Sequence, residues 1–337
     1  MATTTENKDK ISILMPVKNA EAFLPETIES ILKQSYTNWE LICIDDHSTD
    51  NSYITIESFV QKDDRIQLYT NSGNGILHAL QTAEEKASGT LVSRMDADDL
   101  IPPDRYEKQF QLLKDKGKGH LISGKVAYFS SSKTLQDGFI RYAEWLNSLC
   151  ETNTHYNEIY KECVIASPSW LMYMEDFKKI GGFKDLVYPE DYDFVFRLYK
   201  NGIKVASVNE LVLYWRDHPE RASRNLPQYK DVTFFDLKWK RFLELDRKPN
   251  MPLLLYGAGP KGKKLAKVML SNGTEFRWIS GNKKKVNHHI YGIQIEDESI
   301  MQELGRDFQL IVAISSPSQL KEAKNCIPSD ANIFYFC

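Results

Sequence analysis

The stretch ISILMPVKNAEAFLPETIESILKQSYTNWELICIDD, residues 11–46, sets out a strand, a helix and a second strand. ISILMPV (11–17) is an apolar run of strand length. Leu24, Ile28, Ile31 and Leu32 then recur at i, i+4, i+7 and i+8, the period of one helix face, and ELICIDD (40–46) restores strand character. Two strands joined by a helical crossover pair in parallel, which brings their carboxyl ends to one edge of a sheet. The acidic end of the second strand runs into a polar turn where Ser48 or Asp50 can cap the next helix.

The rhythm continues outward. Helical spacing near 51–62 and 75–87 alternates with the strands RIQLYTN (65–71) and TLVSRMD (90–96). After Pro102 and Pro103 a helix is predicted to about Lys116, then the strand HLISGKVAYF (120–129). Residues 130–165 have no dominant period and suit an insertion. EDYDFVFRLYKNG (190–202) sets Asp191, Phe194, Val195 and Leu198 at helical spacing and closes on Gly202; LVLYWR (211–216) is a strand feeding a basic loop. Residues 226–248 form an aromatic amphipathic segment whose interleaved acids Asp231, Asp236 and Glu244 favour a packing helix over a membrane-surface one. The pattern breaks at Pro249-Asn250-Met251-Pro252 and restarts with the strand LLLY (253–256). The division is therefore a large α/β domain (1–225), a helical linker (226–249) and a smaller α/β domain (250–337).

Length agrees: 337 residues suit two domains. With 42% hydrophobic, 26% charged and 12% aromatic residues the composition is that of a globular chain. A net charge of −3 without a basic tail argues against a nucleic-acid partner. Residues 250–337 carry 11 Lys and Arg against 8 Asp and Glu, so the acidity lies in the larger part. The polar opening MATTTENKDK and the absence of an 18-residue apolar run point to a cytoplasmic protein, and five scattered cysteines read as reduced packing thiols.

Four acidic or basic clusters sit where strands end or helices begin. Asp96-Ala97-Asp98-Asp99 closes an apolar strand; carboxylates so close repel unless a cation lies among them, and hard divalent metals take oxygen ligands together with substrate phosphates. Asp45-Asp46 ends a strand of the same sheet and so faces the same crevice, where it can accept a hydrogen bond from a nucleobase imide or a ribose hydroxyl. Glu190-Asp191 opens a helix after Tyr188-Pro189, a position that the helix dipole alone would favour and that also suits a general base. Trp215-Arg216-Asp217-His218, with Arg221 and Ser223 beyond, offers a histidine and arginines to a metal or a diphosphate. Each has a bland reading as turn or cap chemistry.

Taken in order, the four resemble the inverting glycosyltransferases of family 2, which have the GT-A fold. The likeness covers roughly residues 10–225 and is carried by ISILMPVKNAEAFLPETIESILKQSYTNWELICIDDHSTD, MDADD, GGFKDLVYPEDYDFVFRL and LVLYWRDHPERAS. It implies a mixed, mainly parallel sheet with helices on both faces. It also implies Pro16 and Val17 at the nucleotide-binding end of the first strand, and Asp46 at the base. Asp96 and Asp98 match the Asp-x-Asp pair for ribose and metal-diphosphate, with Asp99 as a rival metal ligand. Asp191, beside Glu190, matches the catalytic base; Arg216 belongs with the donor, and His218 can join the metal. The implied cofactor is Mg²⁺ or Mn²⁺. The implied partners are a nucleoside-diphosphate sugar, with UDP expected, and a glycan or lipid-linked acceptor met at the inner face of the membrane, leaving peripheral membrane association open. Three departures stand out: Lys18 where many relatives carry an aromatic residue, Ser167 where a histidine often precedes proline, and Asn74 between Gly73 and Gly75 in a flexible loop near the donor.

LLLYGAGPKGKKLAKVML carries Gly257, Gly259 and Gly262 in the Gly-x-Gly-x-x-Gly spacing between a strand and a helix, the context of a dinucleotide site. The next strand, EFRWIS (275–280), ends at Ser280 instead of the acid that would meet an NAD ribose, and Lys283, Lys284 and Lys285 follow. The segment resembles small Rossmann-like domains appended to sugar-modifying enzymes, which implies an accessory role. Two other functions fit parts of the chain: an NAD(P)-type oxidoreductase or epimerase built on the Gly-rich unit, and a non-catalytic sugar-nucleotide-binding module.

Overall fold

The computed structural model describes residues 9–130, 137–184, 187–221, 231–328 and 331–337. Internal contacts divide the chain into two units, Met1–His155 with Val164–Asn225, and Tyr156–Cys163 with Leu226–Cys337.

The first unit runs β1 (Ile11–Val17), α1 (Leu24–Leu32), β2 (Trp39–Asp45), α2 (Ser52–Val60), β3 (Ile66–Thr70), α3 (Ile76–Lys86), β4 (Leu91–Arg94), α4 (Arg105–Lys116), β5 (His120–Ser130), α5 (Asp137–Thr152), β6 (Leu171–Tyr173), α6 (Met174–Lys179), α7 (Glu190–Lys200) and β7 (Lys204–Asp217). The sheet order is β3-β2-β1-β4-β6-β5-β7, and β6 alone among these runs antiparallel to its neighbours. This is the mixed, mainly parallel sheet that the sequence implies. β2 is buried along its whole length and β1 nearly so, as expected of strands covered on both faces. Ile13, Met15, Leu41, Cys43 and Leu91 join the α1 residues Leu24, Ile28 and Ile31 in one core. Full burial of such a side chain contributes about 1.5–3 kcal/mol.

Register decides where the chemistry lies. Val17 pairs with Asp45, Asp45 with Thr70, and Ser130 with Asp217, so the strand ends and the loops that follow them share one edge. Because β6 runs the other way, with Leu171 opposite Ser93, the segment preceding it reaches that same edge.

Two elements differ from the sequence expectation. Residues 130–165 contain the 16-residue helix α5, and the last strand runs from Lys204 instead of Leu211. Its first half, KVASVNE, is half-buried or exposed and thus lacks an apolar signature, but it pairs residue by residue with β5 until the register shifts at Gly124 and Lys125.

The second unit contains α8 (Asp231–Leu245), β8 (Leu253–Tyr256), α9 (Pro260–Ser271), β9 (Arg277–Ser280), β10 (His289–Ile290), β11 (Ile293–Asp297), α10 (Ile300–Leu304), β12 (Gln309–Val312), α11 (Pro317–Cys326) and β13 (Asn332–Tyr335). The sheet order is β10-β11-β9-β8-β12-β13, parallel apart from the β10–β11 pair. Leu254, Tyr256, Ile279, Phe308, Leu310 and Val312 form its core. The helix expected as a linker groups with this unit. Tyr160 stacks on Phe336 with ring centroids 5.2 Å apart and donates a hydrogen bond to Asp246 at 2.6 Å, so residues 156–163 are built into the same unit. All five cysteines are free thiols, and Cys43, Cys150 and Cys163 are buried. Among the described residues no helix is long and apolar enough to cross a membrane.

Candidate active site

Pro16 and Val17 close β1, and the Val17 carbonyl accepts the Asp46 N–H at 2.7 Å. The Asp46 side chain is buried and well supplied with donors. Its Oδ1 accepts from Asn71 Nδ2 at 2.6 Å and from the Gly75 N–H at 2.9 Å, and Lys18 Nζ lies 3.0 Å from Oδ2. Gly75 has φ +87°, a conformation that a side chain would strain, and it turns its N–H onto Asp46 at the start of α3. Lys18, the departure noted in the sequence, thus forms an ion pair with the expected base-binding carboxylate.

The Asp96–Asp99 loop is pinned from both sides. Thr27 Oγ1 on α1 donates to the Ala97 carbonyl at 3.1 Å, and Leu100 exchanges two backbone hydrogen bonds with Tyr214 of β7. Arg216 does most of the holding. Its backbone N–H donates to Asp99 Oδ1 at 2.8 Å, its Nε to the Asp98 carbonyl at 2.6 Å, and its Nη2 to Glu26 at 2.6 Å. The guanidinium lies over the rings of Phe23 and Phe129. His218 packs on Phe23 with ring centroids 4.5 Å apart, and its Nε2 lies 2.9 Å from Asp98 Oδ2. Arg221 lies over the Trp215 ring and hydrogen-bonds the Tyr128 hydroxyl; Ser223 lies outside the described residues.

Glu190 and Asp191 open α7. Glu190 is buried and receives Arg94 Nη1 at 3.2 Å, while Arg94 Nε holds Asp96 at 2.9 Å. Asp191 is half-buried, accepts the Tyr192 N–H at 2.8 Å and lines a pocket with Arg94, Ile165, Ser167, Trp170, Phe183 and Phe194. Ser167, the second departure, therefore shares a pocket with the expected base. The structure thus brings together Asp96, Glu190 and Asp191 through Arg94, and Asp98, Asp99 and His218 through Arg216.

Burial raises the Asp191 carboxyl to about 7, with the Glu190 charge adding and Arg94 opposing. Burial also raises Asp96 against the pull of Arg94, and raises Asp99 well above the carboxylate range with the like charges of Asp98 and Asp96. The like charges of Asp96, Asp98 and Asp99 favour a positive charge beside them. Two buried atoms nearby, Asp99 Oδ2 and His218 Nδ1, have no hydrogen-bond partner among the described residues. Among the described residues no three acidic, histidine or cysteine side chains converge as a ready-made metal cage. The donor set of carboxylate oxygens and one imidazole nitrogen still fits Mg²⁺ or Mn²⁺, which need only one or two protein carboxylates when phosphates complete the shell.

A family model described as Glycosyl transferase family 2 matches residues 12–181, half of the chain. The chain belongs to that family. An uncharacterized glycosyltransferase of Haemophilus influenzae is 31% identical over 229 residues, 65% of this chain and 68% of that one. The UDP-Glc:alpha-D-GlcNAc-diphosphoundecaprenol beta-1,3-glucosyltransferase WfgD of Escherichia coli is 39% identical over 104 residues, 31% of this chain and only 40% of that enzyme's length. Among solved structures, the mannosyltransferase PcManGT of Pyrobaculum calidifontis in complex with GDP-Man and Mn²⁺ superposes with a TM-score of 0.53 at 16% identity, covering 78% of this chain and 69% of the other. That likeness is one of fold.

Within this family 2 chain the sequence alone did not single out Arg94, Glu26 or Tyr128. For Arg94 a signal existed: a basic residue closing an otherwise apolar strand, two positions before Asp96 and so on the same side of the extended chain.

The Gly-rich loop of the second unit is tightly closed on itself. A Cβ on Gly262 would stand 1.9 Å from the Gly257 carbonyl, which accepts Trp278 Nε1 at 2.9 Å. Gly259 precedes α9 as its cap. Of the three lysines that follow the second strand of this unit, Lys283 pairs with Asp297 at 2.5 Å and Lys285 donates to the Ala258 carbonyl at 2.8 Å. Ser280 Oγ accepts the Asn282 N–H at 3.2 Å.

Proposed function

We propose that this family 2 glycosyltransferase moves a sugar from a nucleoside diphosphate, UDP foremost, to a hydroxyl of a glycan or lipid-linked acceptor, with inversion and with a divalent metal. The observation that carries the reading is the Arg94 bridge, which joins a carboxylate of the acidic loop to the helix start bearing Asp191.

Asp46 and Lys18 present an acceptor beside a donor at the end of β1 and β2, which suits a base imide. Asp96 takes the ribose side. Asp98 and His218, with Asp99 behind them, would hold Mg²⁺ or Mn²⁺. When bound, the metal supplies positive charge against the diphosphate leaving group. Asp191 accepts the proton of the attacking hydroxyl, which approaches the anomeric carbon opposite the diphosphate, and Glu190 supports the base from the preceding position. A carboxyl raised to about 7 is well matched to that task at neutral pH. The donor and acceptor classes in the name of WfgD support UDP-sugar and a lipid-linked acceptor, and the Mn²⁺ of PcManGT supports a metal. Such an acceptor puts the work of a cytoplasmic enzyme at the inner face of the membrane. The second unit serves as an accessory domain.

The test is a panel of nucleoside-diphosphate sugars incubated with Mn²⁺ and an acceptor extract. Nucleoside diphosphate release that needs both metal and acceptor, with an inverted anomer by NMR, supports the reading; no release with any donor removes it.

A further inference from the structure

Arg94 is 4% exposed and spreads its guanidinium between two carboxylates on different elements. Nε reaches Asp96 Oδ1 at 2.9 Å, beyond the end of β4, and Nη1 reaches Glu190 Oε1 at 3.2 Å, at the first residue of α7. Glu190 is as buried as Arg94, whereas Asp96 keeps about a quarter of its side chain exposed. The N-terminus of α7 has no side-chain cap: Pro189 stands at the cap position. Three acids crowd its first turn, Glu190, Asp191 and Asp193, and Asp193 is already engaged with Arg197 at 2.9 Å. The guanidinium of Arg94 thus ties the leading edge of α7 to the acidic loop.

A planar fork offers donors in two fixed directions, whereas a lysine ammonium in the same place is a point charge that cannot hold both carboxylates at a set angle. The group anchored, Glu190, is the immediate neighbour of Asp191. A shift of Glu190 therefore moves the Asp191 backbone with it.

We propose that Arg94 is a positioning residue, which sets the separation between the donor-side carboxylate Asp96 and the base Asp191 by gripping Asp96 with one arm and Glu190 with the other. The inference rests on the sugar-transfer reading and adds to it the device that holds donor and acceptor ends in register. Displacement of a reacting group by about 1 Å costs on the order of 10² in rate, while donor binding, to which Asp96 adds one contact beside those of Asp46, Lys18 and the metal side, changes far less. The charged groups facing Asp191 are Glu190, Arg94 and Asp96, so loss of the Arg94 charge also moves the acid limb of the pH–rate profile upward.

The test uses the full chain with Mn²⁺ and the donor that the wild type turns over, comparing R94K, R94M, E190Q, R94M/E190Q and D191N. Affinity for UDP with Mn²⁺ is measured by calorimetry on each, and folding by circular dichroism. The expected result for R94K is a fall in kcat of about tenfold to a hundredfold with donor KM and UDP affinity within about threefold of wild type. R94M/E190Q is expected to lose less than the product of the two single losses, because both break one bridge. Should R94M fail to fold, R94K, which keeps charge and volume, carries the test alone. Wild-type kcat in R94K, or a rise in donor KM with kcat unchanged, overturns the role of Arg94. D191N separates the two failures: if D191N is inactive while R94K is fully active, only the Arg94 role falls, and if D191N turns over normally the transfer reading falls with it.

Discussion

The backbone N–H of Arg216 donates to the carboxylate of Asp99 across 117 residues of chain, at 2.8 Å. Through this bond the final strand of the sheet fixes the acidic loop that follows its fourth strand, and the Arg216 side chain adds a second hold on the Asp98 carbonyl.

Replacement of Arg216 by Met removes the side-chain holds and keeps the backbone bond. Glu26 is largely exposed, so that ion pair contributes little; the bond to the Asp98 carbonyl is worth about 1–2 kcal/mol. R216M is expected to melt several degrees lower and to need more Mn²⁺ for half-maximal turnover, measured by thermal scans and metal titration. An unchanged Mn²⁺ requirement would show that Arg216 does not shape the metal side of the loop.

The Asp99 carboxyl is raised by burial and by the charges of Asp98 and Asp96. The folded chain therefore keeps a proton that the unfolded chain releases near pH 3.9, and stability declines as pH rises from that value toward the raised one. D99N keeps an oxygen for the Arg216 N–H and removes the ionisation. Without divalent metal its melting temperature is expected to gain on wild type more at pH 7.5 than at pH 4; a gap independent of pH contradicts this.

Asp46 accepts from Asn71, Gly75 and Lys18 at once. D46A should raise the donor KM at least tenfold and leave kcat within a few-fold, since the loss falls on binding alike in ground and transition states. Steady-state kinetics at saturating acceptor decide it, and a collapse of kcat at unchanged KM would refute the assignment.

In the second unit G262A forces a methyl group against the Gly257 carbonyl. A clash of this kind costs about 1–3 kcal/mol. A lower melting temperature is the expected outcome in a thermal scan; a melt identical to wild type would show that the loop relaxes freely.

How much could be read before the structure follows from what each element is made of. β1, β2 and β4 are short apolar runs, the last two leading into acids, and their pairing in parallel follows from the helices between them. β6 is three residues, LMY, too short to carry a period, and its antiparallel course is set by its neighbours. α5 carries a helix period, with Ala143, Leu146, Leu149 and Cys150 buried along one face, but the period spans only part of residues 130–165 and is diluted when that stretch is read as one segment. The acidic residues of the site were legible because clustered charge at strand ends is costly without a purpose. Arg216 was legible with them, in the cluster Trp215-Arg216-Asp217-His218, but the Arg94 bridge was not: Arg94 meets Glu190 across 96 residues, a contact that spacing cannot reveal.

The most direct measurement is the turnover of D191N as a function of pH beside wild type, with UDP affinity measured on both. For the wild type, kcat is expected to fall tenfold per unit below about pH 7, where the raised carboxyl takes up its proton. D191N is expected to lose about 10²–10⁴ in kcat, to show no such limb, and to bind UDP with Mn²⁺ as the wild type does. Near-normal turnover in D191N with the acid limb intact would contradict the assignment of Asp191 as the base, and with it the transfer mechanism.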